Sequence, residues 1–225
     1  MYFKVLFMNA KNESLQELQH IKKMMERSTK FSSLSGLSGV AAGTCALVGV
    51  WFAVRSIADW KSSHVNNPEA PMEELATQLL LIAVATFIAA VISAFIFIYL
   101  RCKKLDIPVL GMSARRVIIN IAIPLFMGSL FVFRLATTGA YNLIPPACLI
   151  FYGLGLVNAS KYTLNVVRYL GFTQLIIGVI NLLVLGYGLI FWGVGFGLIH
   201  IIYGVIIWWK YEKNGSEQFT RSVNE

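Results

Sequence analysis

Charge is what this sequence has least of. Only 13% of its 225 residues are charged, against 57% that are hydrophobic. A soluble domain carries about 25% charged and about 45–50% apolar residues, so a soluble globular fold is excluded. The three cysteines, Cys45, Cys102 and Cys148, are odd in number and lie in or beside apolar segments, which argues against a disulfide framework. The three histidines, His20, His64 and His200, are scattered along the chain, so no metal site is expected. The apolar runs contain no Asp or Glu that would carry a proton relay or bind a coupling cation. No lysine follows the glycine-rich GVGFG at 193–197, which lies inside an apolar run, so it is not a phosphate-binding loop. No cofactor is expected.

Six apolar stretches remain, at approximately 33–54, 75–100, 117–136, 141–158, 169–187 and 189–209. An α-helix crossing a bilayer core needs roughly 20 such residues. The expected fold is therefore all-α, a polytopic bundle of six transmembrane helices. Residues 1–32 form a segment before it and 210–225 a tail after it. Aromatics suited to the interface, among them Trp51, Trp60, Tyr99, Tyr187, Trp208 and Trp209, mark the ends of the runs. The opening MYFKVLF is too short for a signal-peptide core, and no small-residue cleavage site follows it.

Of the 19 basic residues, 16 fall in 1–32, 101–116, 159–168 and 210–225. Basic residues accumulate on the cytoplasmic side, so both termini are expected inside. The net charge of +8 is then an orientation signal, with anionic lipid as its natural partner and nucleic acid an improbable one.

The first segment contains NESLQELQHIKKMMERSTK, an amphipathic helix in pattern. Ser14 and Glu17 have capping-box spacing, and Leu15, Leu18, Ile21 and Met25 share a face. Lys22, Lys23, Arg27 and Lys30 flank that face as contacts for lipid headgroups. The simplest role for the segment is a lead-in helix covering one end of the bundle; lipid sensing or partner docking is the sharper one. Residues 55–74 form the only sizeable outer loop. Cys102 in RCKK stands where a palmitoylated cysteine would, although a free thiol is the simpler reading.

Helices in lipid associate through small residues and interhelical hydrogen bonds. In the first span Ser32, Gly36, Gly39, Gly43, Ala46 and Ala53 share one face. In the fifth, Gly171, Gln174, Gly178 and Asn181 form a stripe of small and polar residues; in the sixth, Gly193, Gly197, His200 and Gly204 do the same. A short turn near Gly188 makes the last two spans antiparallel neighbours. Mirroring them across it predicts an intramembrane polar cluster of Gln174, Asn181, His200 and Tyr203. Such a cluster is either interhelical glue or a substrate or proton site. Pro124 and the pair Pro145-Pro146 are expected to kink or start helices. Three spans in each half would permit inverted halves, but the halves share no visible similarity.

Gly36-Leu37-Ser38-Gly39, together with His200, resembles the Gly-x-Ser-Gly and histidine of the rhomboid intramembrane serine proteases. That family opens its fourth core span with the motif, whereas here it opens the first. Ser38 and His200 also lie about five residues apart in depth, roughly 7 Å at the helical rise. A protease is therefore not expected. The stretches MMERSTKFSSLSGLSGVAAG, VNASKYTLNVVRYLG and FWGVGFGLIHIIYG are similar to a six-span family of bacterial inner-membrane proteins of unknown function. That resemblance implies a bacterial inner membrane. Two functions stay open. The first is a non-enzymatic accessory or scaffold protein that pairs with another membrane protein or a copy of itself. The alternative is a small transporter or channel with a neutral polar cavity.

Overall fold

The computed structural model describes residues 35–66, 72–105 and 108–213. Lys22, Lys23, Arg27 and Lys30, with the rest of the segment 1–32, lie outside the described residues, as does most of the tail. Six helices are long and apolar enough to cross a membrane, and the described elements include no strand. They are α1 (Gly36–Asn66), α2 (Met72–Lys104), α3 (Met112–Thr137), α4 (Ile144–Ala159) and α5 (Asn165–Leu183), with α6 spanning Gly188–Lys213. The chain is an all-α, multi-pass membrane bundle.

Several ends differ from the hydropathy reading. α1 runs on to Asn66, so most of the expected outer loop is helix. Residues 55–66 are more polar but hold no glycine or proline, so nothing in them breaks the helix. α5 stops at Leu183, short of the expected 187, and the chain turns at Gly186 with φ 95°. A positive φ favours glycine because it has no Cβ. Pro145 and Pro146 open α4, where a missing N–H is harmless, and Pro124 sits inside α3.

α6 is wound unevenly. Gly188–Trp192 and His200–Ile207 are α-helical, while Gly193–Ile199 and Trp208–Lys213 are π-helical. The first π stretch is GVGFGLI, whose three glycines are poor helix formers and offer no side chains to hold the tighter winding.

Consecutive helices pack together along most of the chain, and one long seam joins its two ends. α1 packs on both α2 and α6, while α4 packs on both α3 and α5. The two trios meet where α6 touches α4 and α5. The last two spans do lie against each other, through Gln174 and Gly195, Thr173 and Tyr203, and the apolar cluster of Val167, Leu170 and Ile207. Each has a longer seam elsewhere, α6 on α1 and α5 on α4. The reason is shape. α1 offers Gly36, Gly39 and Gly43 to Gly204 and Gly197 of α6, with Trp208 against Gly36. A Cβ on Gly43 would stand 2.7 Å from the Gly197 carbonyl oxygen, and one on Gly204 would stand 2.7 Å from that of Gly36. Gly193 is looser, with Val50 at 3.3 Å. α4 and α5 repeat the device: a Cβ on Gly153 would meet the Gly171 carbonyl at 2.9 Å. The outer faces of α2 and α3 expose Leu81, Phe87, Phe95, Ile123 and Phe126, which suits lipid contact.

Candidate functional site

The interior polar groups concentrate where α4, α5 and α6 meet. His200 is 7% exposed, and Gln174 and Asn181 are 0% exposed. His200 Nδ1 lies 3.0 Å from the Gly195 carbonyl oxygen, and His200 Nε2 lies 2.8 Å from Tyr152 Oη. A carbonyl only accepts, so these partners assign the proton to Nδ1 and leave Nε2 to accept from the tyrosine hydroxyl. Gln174 Nε2 donates to the same Gly195 oxygen at 2.7 Å. Gln174 Nε2 and His200 Nδ1 are 3.4 Å apart, but as two donors sharing one acceptor they lie side by side. Gly195 thus joins α5 to α6, and Tyr152 joins α4 to α6.

The ring of Phe196 stacks on that of His200 at 6.1 Å and tilts against Tyr152 at 5.2 Å; Trp192 follows at 5.1 Å from Phe196. Gly195 cannot be replaced easily. A Cβ there would come within 2.8 Å of Gln174 Oε1 and would collide with Leu149. The π winding places Gly195 and His200 five positions apart yet within reach of each other, and such windings recur at functional sites.

The four residues expected to cluster do not all do so. Gln174 and His200 come together. Tyr203 bonds instead to Thr173 Oγ1 at 3.1 Å. Asn181 stands two helical turns from Gln174, about 10 Å away, too far for a side-chain bond between them. Its Oδ1 and Nδ2 are both buried without a partner, and so is Gln174 Oε1. Tyr152 and Gly195 were not anticipated. Tyr152 lies in an apolar span with no polar periodicity, and the glycine run at 193–197 was the only trace of Gly195 in the sequence.

A second polar feature joins three helix ends. Glu212, in the last turn of α6, pairs with Arg101 at the end of α2. The same Glu212 Oε1 accepts the Gly36 amide at 2.5 Å and the Ser35 hydroxyl at 3.3 Å. A carboxylate at a helix N-terminus satisfies an orphan N–H and complements the helix dipole. Arg101 and Glu212 are 14% and 19% exposed, so the pair is largely withdrawn from solvent. The neighbouring Cys102 is fully buried, which leaves no accessible sulfur for a lipid chain.

Ser38 donates its hydroxyl to the Ser35 carbonyl at 2.5 Å, while both His200 ring nitrogens have other partners. These two residues form no nucleophile–base pair in the structure. No group of three or more His, Cys, Asp or Glu side chains able to hold a metal occurs among the described residues.

Fold and site together define a six-helix membrane bundle with a neutral hydrogen-bonded junction inside it and a carboxylate clasp at one end. Comparisons with protein-family models, curated proteins and solved structures returned no match.

Proposed function

We propose that the chain is a non-enzymatic accessory or scaffold protein of a bacterial inner membrane, with both termini in the cytoplasm. The observation that carries this reading is the closure of the junction. Both ring nitrogens of His200 and the amide nitrogen of Gln174 bond within the protein, joining three helices. Interhelical bonds of this kind contribute on average about 0.6 kcal/mol each in membranes. They hold a shape and leave the imidazole no free nitrogen for chemistry. Anionic lipid at the basic end, and a second membrane protein or another copy of the chain, are the partners this reading implies.

A second reading, a small transporter or channel for neutral solutes, is favoured by one feature: the unpartnered Asn181 amide and Gln174 Oε1 inside the bundle. Reconstitution into liposomes separates the two. The scaffold reading expects glycerol and urea to cross protein-containing vesicles no faster than empty ones in stopped-flow light scattering. Faster flux that falls when Gln174 or Asn181 is replaced by Leu, with thermal stability retained, would establish the transport reading instead.

A further inference from the structure

We propose that the face formed by α3, α4 and α5 seats one anionic phospholipid, with its phosphate at Arg116, Lys161 and Arg168 and an acyl chain along the groove over Leu154. All three cations are exposed and stand at one end of the bundle, where α3 begins, α4 has ended and α5 begins. Arg116 and Arg168 lie four and three residues inside their helices, about 5–6 Å below the ends, so their long side chains reach back to headgroup level. Each guanidinium rests over a ring, Arg116 at 5.9 Å from the centre of Tyr162 and Arg168 at 5.5 Å from that of Phe172. Such contacts hold a cation in place without neutralising it. No Asp or Glu occurs anywhere in 107–211, and the next carboxylate, Glu212, is committed to Arg101 and the start of α1. The counter-charge therefore comes from outside these helices, and at a membrane surface it is an anionic headgroup.

The apolar part of the site follows from the contacts of the three helices. α4 packs on both neighbours, and α3 and α5 share no seam of their own. α4 meets α5 through Gly153 and Val157, and α3 through Phe151 and Asn158. Leu154, between those two sets on the helical period, is 44% exposed and forms the floor of a groove. On α3 the Asn120 carbonyl accepts the Asn158 bond, and Arg116, Ile123 and Met127 share its side at helical spacing. On α5, Gly171 and Gly178 face α4 while Thr173 and Gln174 face α6, so Arg168, Phe172 and Val179 line the opposite flank. Ile123, Met127, Phe172 and Val179 are all exposed. A cationic mouth over an apolar trough matches a phosphate joined to an acyl chain, and neither a soluble anion nor a neutral lipid satisfies both parts. The site gives the anionic-lipid contact of the scaffold reading a place, and it rests on that reading.

The test uses the purified full-length protein in mild detergent, with phosphatidylglycerol and phosphatidylcholine of matched chains as probes. Native mass spectrometry reads the lipid retained at rising concentration. One phosphatidylglycerol should bind the wild type several-fold more tightly than phosphatidylcholine. A basic residue beside an anionic headgroup contributes a factor of about five, so Arg116→Gln, Lys161→Gln and Arg168→Gln should each weaken that binding about fivefold. Lys210→Gln, which removes an exposed cation of α6 outside the groove, should leave it unchanged. Leu154→Trp, which fills the groove and keeps every charge, should weaken it. Glycerol phosphate, a headgroup without chains, should not compete at millimolar concentration. Equal affinity for the two lipids overturns the proposal and the anionic-lipid contact together. A preference for phosphatidylglycerol that the triple glutamine variant keeps overturns this site alone and assigns the contact to other cations. Full competition by glycerol phosphate overturns it in favour of a soluble anion. Liposome flux decides between scaffold and transporter independently of all these outcomes.

Discussion

A Cβ on Gly39 of α1 would stand 3.1 Å from the Cα of Gly204 in α6, so these two helices touch backbone to backbone. The contact is graded along the seam. At Gly39 the nearest atoms lie at 3.1 and 3.3 Å, whereas at Gly43 and Gly204 the nearest lie at 2.7 Å and are backbone oxygens or nitrogens among others. Carbonyls in a helix cannot step aside as a flexible side chain can. Gly39→Ala should therefore be mild. Gly43→Ala and Gly204→Ala should cost more, and Gly204→Leu about 1–3 kcal/mol or beyond. Unfolding in mixed micelles with rising SDS measures the order. Equal stability of Gly204→Leu and wild type would refute the seam.

Tyr152→Phe and Gln174→Leu should not be equivalent. The first removes the donor to His200 Nε2 and leaves a buried acceptor unmatched, a loss of about 1–3 kcal/mol. The second removes one donor from Gly195, whose oxygen keeps His200 Nδ1, and also eliminates the unmatched Oε1. Its cost should be the smaller. The same SDS titration ranks them, and a larger loss for Gln174→Leu would contradict the assigned bonding.

The clasp at Glu212 makes a prediction of coupling. Glu212→Gln and Arg101→Gln should each destabilise, and the double variant should lose less than the two losses added. A coupling of about 1–2 kcal/mol is expected for a charged hydrogen bond withdrawn from solvent. Additive losses would mean that the two side chains act independently.

Thiol chemistry reports burial directly. Cys102 is fully buried, while Cys45 and Cys148 are half-buried. In the native protein a bulky maleimide should leave Cys102 unmodified, and SDS denaturation should expose it. Mass spectrometry of the labelled peptides checks this, and rapid native labelling of Cys102 would show α2 to be displaced from its place beside α1.

Orientation is testable by fusion. A fluorescent protein that matures only in the cytoplasm should be bright at the C-terminus, and alkaline phosphatase there should be inactive. The reverse result would overturn the charge-based assignment of both ends.

Much of the architecture was legible in the sequence, because it depends on local quantities. Run length and hydropathy define a membrane helix wherever it occurs, and six runs became six helices. The glycine faces were also visible, since 3.6-residue periodicity puts Gly36, Gly39 and Gly43 on one side whatever lies opposite. What lay opposite was not visible. The short turn after α5 suggested α6 as its neighbour, and the two do meet, but the fit of glycine faces gave α6 its longest seam on α1, at the other end of the chain.

The junction shows the same division. Gln174 and His200 stood out because polar side chains in an apolar run are rare. Their partners did not, because a tyrosine in α4 and a backbone carbonyl in a π-wound turn have no linear signature. Glu212 and Arg101, 111 positions apart, read as ordinary charges at span ends until three helix termini converged. Hydropathy and charge partition are summed residue by residue against lipid and water, so the sequence alone determines them. Pairing between helices depends on shape complementarity across distant segments, and only the tertiary structure decides it.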